Sequence, residues 1–426
     1  KAASKMFRKE AVCAVGLAWI LAVLAGSAPY LLMGGIDFDD AVFESASGFT
    51  STGATVLSDV EDLPRSLLFW RALTQWIGGL GIIVFFVALL STLGRGAKTI
   101  YSRESQIDSS SFSGNLRVVI FKIFAIYLAL SGLCFGAFYL SGLDVFGAAG
   151  TMLTTVSTGG FSVYNNGFGS LSNGAKWAAV LFMFIGGVNF ALLPSLFALN
   201  LKKILRNSEF KAYVAVIAAV SASIFVSLTN FKGDFSDIFK SFTNTVFHVV
   251  STTTSTGFSN VDYQEWGPLA HMLLFFIMIV GGCSASTSGG LKVVRALSAV
   301  KIGFRAVEKS FRPNVVRPVM LDGKAMEESR ANEIMSFIAM YSIIAVAGML
   351  ALAFFEKDLS LETCITTIVS AISNIGPAFN ETGPSQNFAF LATPSKALLS
   401  ILMIMGRLEF YAVFALFMPD LWRKFR

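Results

Sequence analysis

Eight blocks of apolar residues, each about twenty long or more, decide what this chain can fold into. They run roughly over 11–34, 66–93, 118–142, 177–200, 212–230, 269–300, 334–355 and 397–419. Blocks of that length cross a hydrocarbon core about 30 Å thick as helices. Within lipid a helix satisfies every backbone polar group inside its own segment, as a single strand cannot. Charge agrees with this reading. Only 14% of residues are charged and 54% are hydrophobic, against about a quarter charged in soluble domains. The mean hydropathy is +0.66. The expected fold class is an all-α polytopic membrane protein.

The net charge of +6 is explained by topology rather than by nucleic acid. The stretches 1–9, 95–122, 202–211, 292–330 and 423–426 hold 25 of the 33 lysines and arginines. By the positive-inside rule they are cytoplasmic, which places both termini there. The opposite connections are acidic, and Trp70, Trp177 and Trp266 each stand near the outer start of an even-numbered span.

Each of the four outer connections contains an apolar stretch too short to span, followed by a Ser/Thr/Gly cluster. Such stretches are candidates for re-entrant half-helices. The clusters Thr50-Ser51-Thr52-Gly53, Val156-Ser157-Thr158-Gly159, Thr254-Ser255-Thr256-Gly257 and Ser373-Asn374-Ile375-Gly376 align at their last glycine, with spacings of 106, 98 and 119 residues. Self-similarity at the period of the topology unit implies four span–half-helix–span repeats. The expected division is 1–94, 95–201, 202–300 with an interrupted sixth span, a basic cytoplasmic linker 301–333, and 334–426.

Non-helical backbone at membrane depth survives only when buried in protein or lining a water-filled path. Four such stretches can surround one pseudo-fourfold pore, their carbonyls replacing the hydration shell of an alkali ion. Half-helix C-termini, placed just before the clusters, would add the negative ends of their dipoles. The candidate filter residues are Ser51, Thr52 and Gly53; Ser157, Thr158 and Gly159; Ser255, Thr256 and Gly257; Asn374, Ile375 and Gly376. The plainer reading is four polar surface turns. The acidic connections would form a negative vestibule that concentrates cations.

Two features lie lower. The run 281–290 interrupts span six with Gly281, Gly282, Ser284, Ser286, Thr287, Gly289 and Gly290. It reads either as a movable gate or as a notch for close helix packing. Arg407, inside span eight, needs a cavity or a partner, and Glu409 lies on another helical face. It reads as a fixed charge beneath the filter or as half of an interhelical ion pair. Cys13, Cys134, Cys283 and Cys364 lack metal or redox spacing and read as core residues. His248 and His271 read as satisfied interior histidines, and Gly78-Gly79 as helix packing. No nucleophile–base pair or paired carboxylates argue for an enzyme.

These residues resemble the Trk/Ktr/HKT superfamily of potassium transporters, with the nearer likeness to its bacterial TrkH/TrkG branch. The likeness covers essentially the whole chain. It is carried by Ser47 to Thr55, Trp76 to Gly81, Ser157 to Phe161, Gly281 to Lys292, Asn374 to Pro377 and Gly406 to Phe410. The resemblance implies potassium uptake across the bacterial cytoplasmic membrane, with K+ at the four filter clusters. It also implies a homodimer with one pore per protomer, a gate in the sixth span, and Arg407 beneath the filter. A TrkA-like cytosolic nucleotide-binding subunit would dock near 301–330 and 95–117; anionic lipid is the alternative occupant of those basic stretches. Coupling to H+ or Na+ as a symporter, and a non-conducting receptor or scaffold, are the rival functions. Members usually open with two further helices; either these precede Lys1 or this member lacks them. The fourth cluster departs from the pattern, with Asn374-Ile375 for Ser-Thr and Ala378 after Pro377.

Overall fold

The computed structural model describes residues 8–92, 116–197, 200–229, 235–315, 317–410 and 413–414. The basic ends 1–7 and 423–426, the linker from 95 to 115 and the eighth apolar block beyond 414 lie outside the described residues.

The first repeat comprises α1 (Arg8–Gly26), a π-helical turn (Tyr30–Gly34), half-helix α2 (Phe38–Phe49) and α3 (Arg65–Thr92). The second comprises α4 (Leu116–Leu140), half-helix α5 (Val145–Val156) and α6 (Asn173–Gly186), followed by the short α7 (Leu193–Phe197). The third begins with α8 (Leu201–Arg206), then α9 (Ser208–Leu228), half-helix α10 (Phe235–Thr253) and α11 (Pro268–Val280). Then come α12 (Val293–Phe311) and a small hairpin pairing Met320–Leu321 with Lys324–Ala325. The fourth repeat is α13 (Glu328–Phe355), half-helix α14 (Leu361–Ser373) and α15 (Thr393–Arg407).

Helices long and apolar enough to cross a membrane occupy Cys13–Gly34, Ile120–Leu140, Ser208–Leu228 and Glu328–Phe355. These are the first spans of the repeats, and only 28–33% of each apolar window is buried within the chain. They form the lipid-facing periphery. The half-helices are the reverse: ten of the thirteen residues of α14 and eight of the twelve of α2 are buried. At 1.5 Å per residue, a twelve-residue helix is about 18 Å long and stops inside the membrane. Local chemistry starts two of them: Asp144 accepts from the Gly147 amide and Ser360 from the Thr363 amide as N-caps.

Each half-helix packs on the second helix of the preceding repeat. α5 lies on α3, α10 on α6, α14 on α11, and α2 closes the circle against α15. At the outer rim that closure is ionic, with Lys396 Nζ 2.5 Å from Asp40 and 3.7 Å from Asp39.

Two expected spans are shorter than their apolar blocks. The block 177–200 breaks after Gly186 and resumes as the short α7, because the backbone between the two pairs with the sixth-span interruption. Cys283 N donates to Gly187 O at 2.9 Å, and Phe190 N donates to Ala285 O at 3.0 Å. In the block 397–419 the helix ends at Arg407, and Glu409 and Phe410 turn left-handed at φ 55° and 57°. That turn carries Glu409 away from Arg407 to a partly buried ion pair with Arg295 at 2.8 Å.

Candidate functional site: the ring of glycine turns and the crossing beneath it

All four half-helices end in the same turn. Thr52 N donates to Ser47 O at 2.9 Å, Gly159 N to Thr154 O at 2.8 Å, Thr256 N to Ser251 O at 2.8 Å, and Ile375 N to Ser370 O at 3.0 Å. These are the six-to-one bonds of Schellman caps, which return the chain by one left-handed residue. That residue is Ser51, Thr158, Ser255 and Asn374, with φ of 52°, 49°, 52° and 54°. Two residues later stand Gly53, Gly160, Gly257 and Gly376, at φ 88°, 85°, 80° and 100°.

The turns correct the alignment of the second cluster by one residue. Gly160, not Gly159, is the counterpart of Gly53, Gly257 and Gly376. Ser157, Thr158 and Gly159 therefore correspond to Thr50, Ser51 and Thr52. Two adjacent glycines left the sequence register open, and the backbone conformation closes it.

The four glycines form a closed circle of contacts. A Cβ added to Gly53 would lie 2.5 Å from Gly159 O, and one on Gly376 would lie 2.7 Å from Thr52 O. On Gly160 it would overlap Thr256 O, and on Gly257 it would overlap Ile375 O. Each repeat thus presents the carbonyl before its glycine to the glycine of the preceding repeat. The four clusters meet as one ring.

The ring is buttressed from behind. Gly78 of α3 and Gly406 of α15 pack against the Phe49 and Ile372 carbonyls, where any Cβ would collide. Gly78 is thus a packing glycine. Buried Arg71 bonds Glu44 Oε1 at 2.6 Å and Ser162 O at 2.9 Å, and sits 3.6 Å from the Phe161 ring centroid. Glu44 accepts in turn from Val56 N at 3.1 Å and Thr55 Oγ1 at 2.9 Å. The pair thereby ties the strands leaving the first two turns to each other.

Above the ring lies a cavity of about 160 Å³ walled by all four repeats, including Gly53, Gly160, Gly257 and Pro377. Its lining is neutral and polar apart from Arg71, and includes no carboxylate. Carboxylates stand at its edge, where the lining residue Asn165 donates from Nδ2 to Asp59 Oδ1 at 2.7 Å and from its amide to Glu61 Oε1 at 2.9 Å. Asp59, Glu61 and Asp62 are exposed on the outer surface, while Glu44 is buried and paired. At the rim, the Thr393 hydroxyl and then Lys396 hold Asp39 below the usual carboxylate range. The Thr363 hydroxyl does the same for Glu381.

Beneath the ring, the chain from Gly281 to Lys292 is non-helical. Its Thr287 Oγ1 meets Thr158 Oγ1 at 3.1 Å and Gly186 O at 3.0 Å. Gly289 N donates to Ser255 Oγ. Arg407 Nη1 reaches Thr287 O at 2.5 Å, and Nη2 reaches Ser51 Oγ at 3.2 Å. No carboxylate of the described residues pairs with Arg407, which removes the interhelical ion pair. Glu209, buried at the start of α9, holds Ser284 through its amide at 2.5 Å and its hydroxyl at 3.0 Å. Lys292 Nζ bonds Ser288 O, and Ser286 Oγ meets Ser288 Oγ at 2.8 Å. Glu209 and Lys292 were not singled out as site residues from the sequence, although a charge just before (Glu209) or inside (Lys292) an apolar block is akin to the signal that singled out Arg407.

The remaining candidates stand apart. All four cysteines are free and buried. His271 Nε2 lies 3.0 Å from Tyr263 O, and buried His248 is tied to the Val261 backbone, its Nε2 having no partner among the described residues. Among the described residues, no group of three or more His, Cys, Asp or Glu could hold a metal ion.

Residues 18–424 match the family model described as TrkH, cation transport protein. The chain is 30% identical to the Trk system potassium uptake protein TrkH of Escherichia coli, over 98% of this chain and 86% of that one. It is 32% identical to the protein of the same name from Halomonas elongata, over 96% and 85%. The crystal structure of the potassium transporter TrkH from Vibrio parahaemolyticus superposes with a TM-score of 0.87 at 29% identity, covering 97% of this chain and 86% of that one.

Proposed function

The chain belongs to the TrkH family of cation transport proteins, and from that premise we propose that potassium passes through a channel-like pore along the axis of the four glycine turns. Its function is potassium uptake, a transport activity rather than an enzymatic one, with K+ as the transported ion and no covalent cofactor. The closed circle of glycine–carbonyl contacts carries the pore reading. A ring of backbone carbonyls at membrane depth offers a cation what its hydration shell offers in water. The filter then comprises Thr52-Gly53, Gly159-Gly160, Thr256-Gly257 and Ile375-Gly376. It contains backbone, hydroxyl and amide oxygens and no titratable group, which favours conduction over obligatory coupling to H+ or Na+.

The crossing 281–290 acts as the gate. It lies directly under the left-handed residues of the ring, and Arg407 fastens it there while adding a positive charge below the filter. A TrkA-like cytosolic subunit governs it through the basic helix α12 and the hairpin. Lys301 Nζ ties these two elements together at Met320 O, 2.9 Å away. The protein works as a homodimer in the cytoplasmic membrane with both termini cytoplasmic.

Purified chain in liposomes, with Na+ as competitor and the proton gradient clamped, tests this. Potassium-preferring flux that ignores the H+ and Na+ gradients is expected, rising when the cytosolic subunit is added. Folded protein that stays silent with the subunit present overturns the pore.

A further inference from the structure

The carbonyl ring carries one asymmetry. Among the described residues nothing donates a hydrogen bond to the carbonyls of Thr52, Thr256 or Ile375. The fourth carbonyl, Gly159 O, accepts one from Gln75 Nε2 at 2.6 Å. Gln75 is fully buried on α3, and its Oε1 accepts from Phe161 N at 3.1 Å. A backbone N–H can only donate, so Oε1 must face Phe161 and Nε2 must face Gly159.

The same side chain explains why this position is glycine. Gly159 is outside the left-handed region, so its backbone accommodates a side chain as Thr52 and Thr256 do. The nearest atoms a Cβ there would meet all belong to Gln75: Oε1, Cδ, and Cβ at 2.9 Å. Glycine at 159 makes room for an amide delivered from the neighbouring repeat.

We infer that Gln75 is a specificity-determining positioning residue of the second filter strand. Its amide takes the place of the side chain that Thr52, Thr256 and Ile375 supply in the other three. Its N–H also occupies a lone pair of the Gly159 carbonyl, and in a site of low dielectric that polarisation is strong. The ring therefore offers a cation three full-strength carbonyls and one attenuated, braced ligand. Since discrimination among alkali ions depends on the number and strength of coordinating dipoles, Gln75 sets part of the K+/Na+ ratio without touching the ion.

This rests on the filter reading above, and flux through the unaltered chain in the same vesicles separates the two. Folded unaltered chain that is silent with the cytosolic subunit present overturns the filter and Gln75 together; conducting chain puts Gln75 alone at stake. Gln75→Met keeps much of the volume and adds no charge, but removes the donor to Gly159 O together with the acceptor for Phe161 N. The K+/Na+ permeability ratio is expected to fall about fivefold, in line with a hydrogen bond worth ~1 kcal/mol, in protein that still folds and conducts. An unchanged ratio overturns the inference. A second arm relies on coupling: Gly159→Thr alone should suppress flux by collision with Gln75, and adding Gln75→Ala should restore at least about half of it, as contacting residues are non-additive. If the two substitutions simply add, Gln75 is not what fills the second strand.

Discussion

The glycine turns and the crossing beneath them are made of the same residue types, yet they are held by different forces. The turns are held by backbone. Schellman bonds, left-handed residues and glycine-to-carbonyl contacts recur in every repeat, so distortion of one strand is opposed by its neighbours. The crossing occurs once; its backbone bonds to the Gly186–Phe190 stretch and to its own flanks, and charged side chains fasten it further: Glu209 of α9, Arg407 of α15 and its own Lys292. Glycine and serine permit many backbone conformations, and these bonds select one. A region fixed by repeated backbone geometry suits discrimination between ions. A region that occurs once, with no symmetric neighbours to oppose its distortion and with charged side chains among its fastenings, can exchange one arrangement for another, which suits gating.

The sharpest way to break this comparison is at a ring glycine. Gly257→Ala puts a methyl group onto Ile375 O and a side chain at φ 80°. The backbone strain alone is of order 1–3 kcal/mol. Loss of potassium-selective flux together with a lowered unfolding temperature is expected; normal flux would mean the ring is as yielding as the crossing. A smaller effect is expected from Arg407→Ala, which frees Thr287 O and Ser51 Oγ. Charged hydrogen bonds are worth about 1.5–3 kcal/mol, so basal flux without the cytosolic subunit should rise about tenfold or more, with the protein still folded. Unchanged basal flux would make the crossing a static packing element. Glu209→Gln should do least. The amide keeps one acceptor for the Ser284 backbone but loses charge, and a rise of about two- to fivefold is expected from ~0.5–1 kcal/mol. A larger effect than that of Arg407→Ala would show that the crossing is fastened from α9 rather than from α15.

The four half-helices and the four hydroxyl–glycine clusters were legible in the sequence because they repeat with the topology unit, and repetition survives the divergence of individual residues. The second cluster was misregistered because Gly159 and Gly160 are indistinguishable as letters and differ only in φ. Acidic residues in the outer connections were legible as charge but not as lining. Glu44 went inward to Arg71, while Asp59 and Glu61 stayed exposed at the edge of the cavity, bonded to Asn165, a choice made by packing. Gln75 carried no signal at all: a polar residue in an apolar span is ambiguous until its partner strand, some eighty residues away, is brought beside it.

Hydrophobic block length, basic-residue placement and internal repetition determined by themselves that this chain is a fourfold-repeated helical membrane protein with a cluster of turns at its centre. Those signals are local and periodic, and they need no knowledge of which segments touch. The tertiary structure decided where the blocks 177–200 and 397–419 break as helices, after Gly186 and after Arg407. Their backbones bond to, or turn toward, a crossing that lies close in space and distant in sequence. It likewise decided which glycine completes the ring and what fills the space beside Gly159. Side-chain identity limits what a position can do, and only the neighbour brought against it selects among the possibilities.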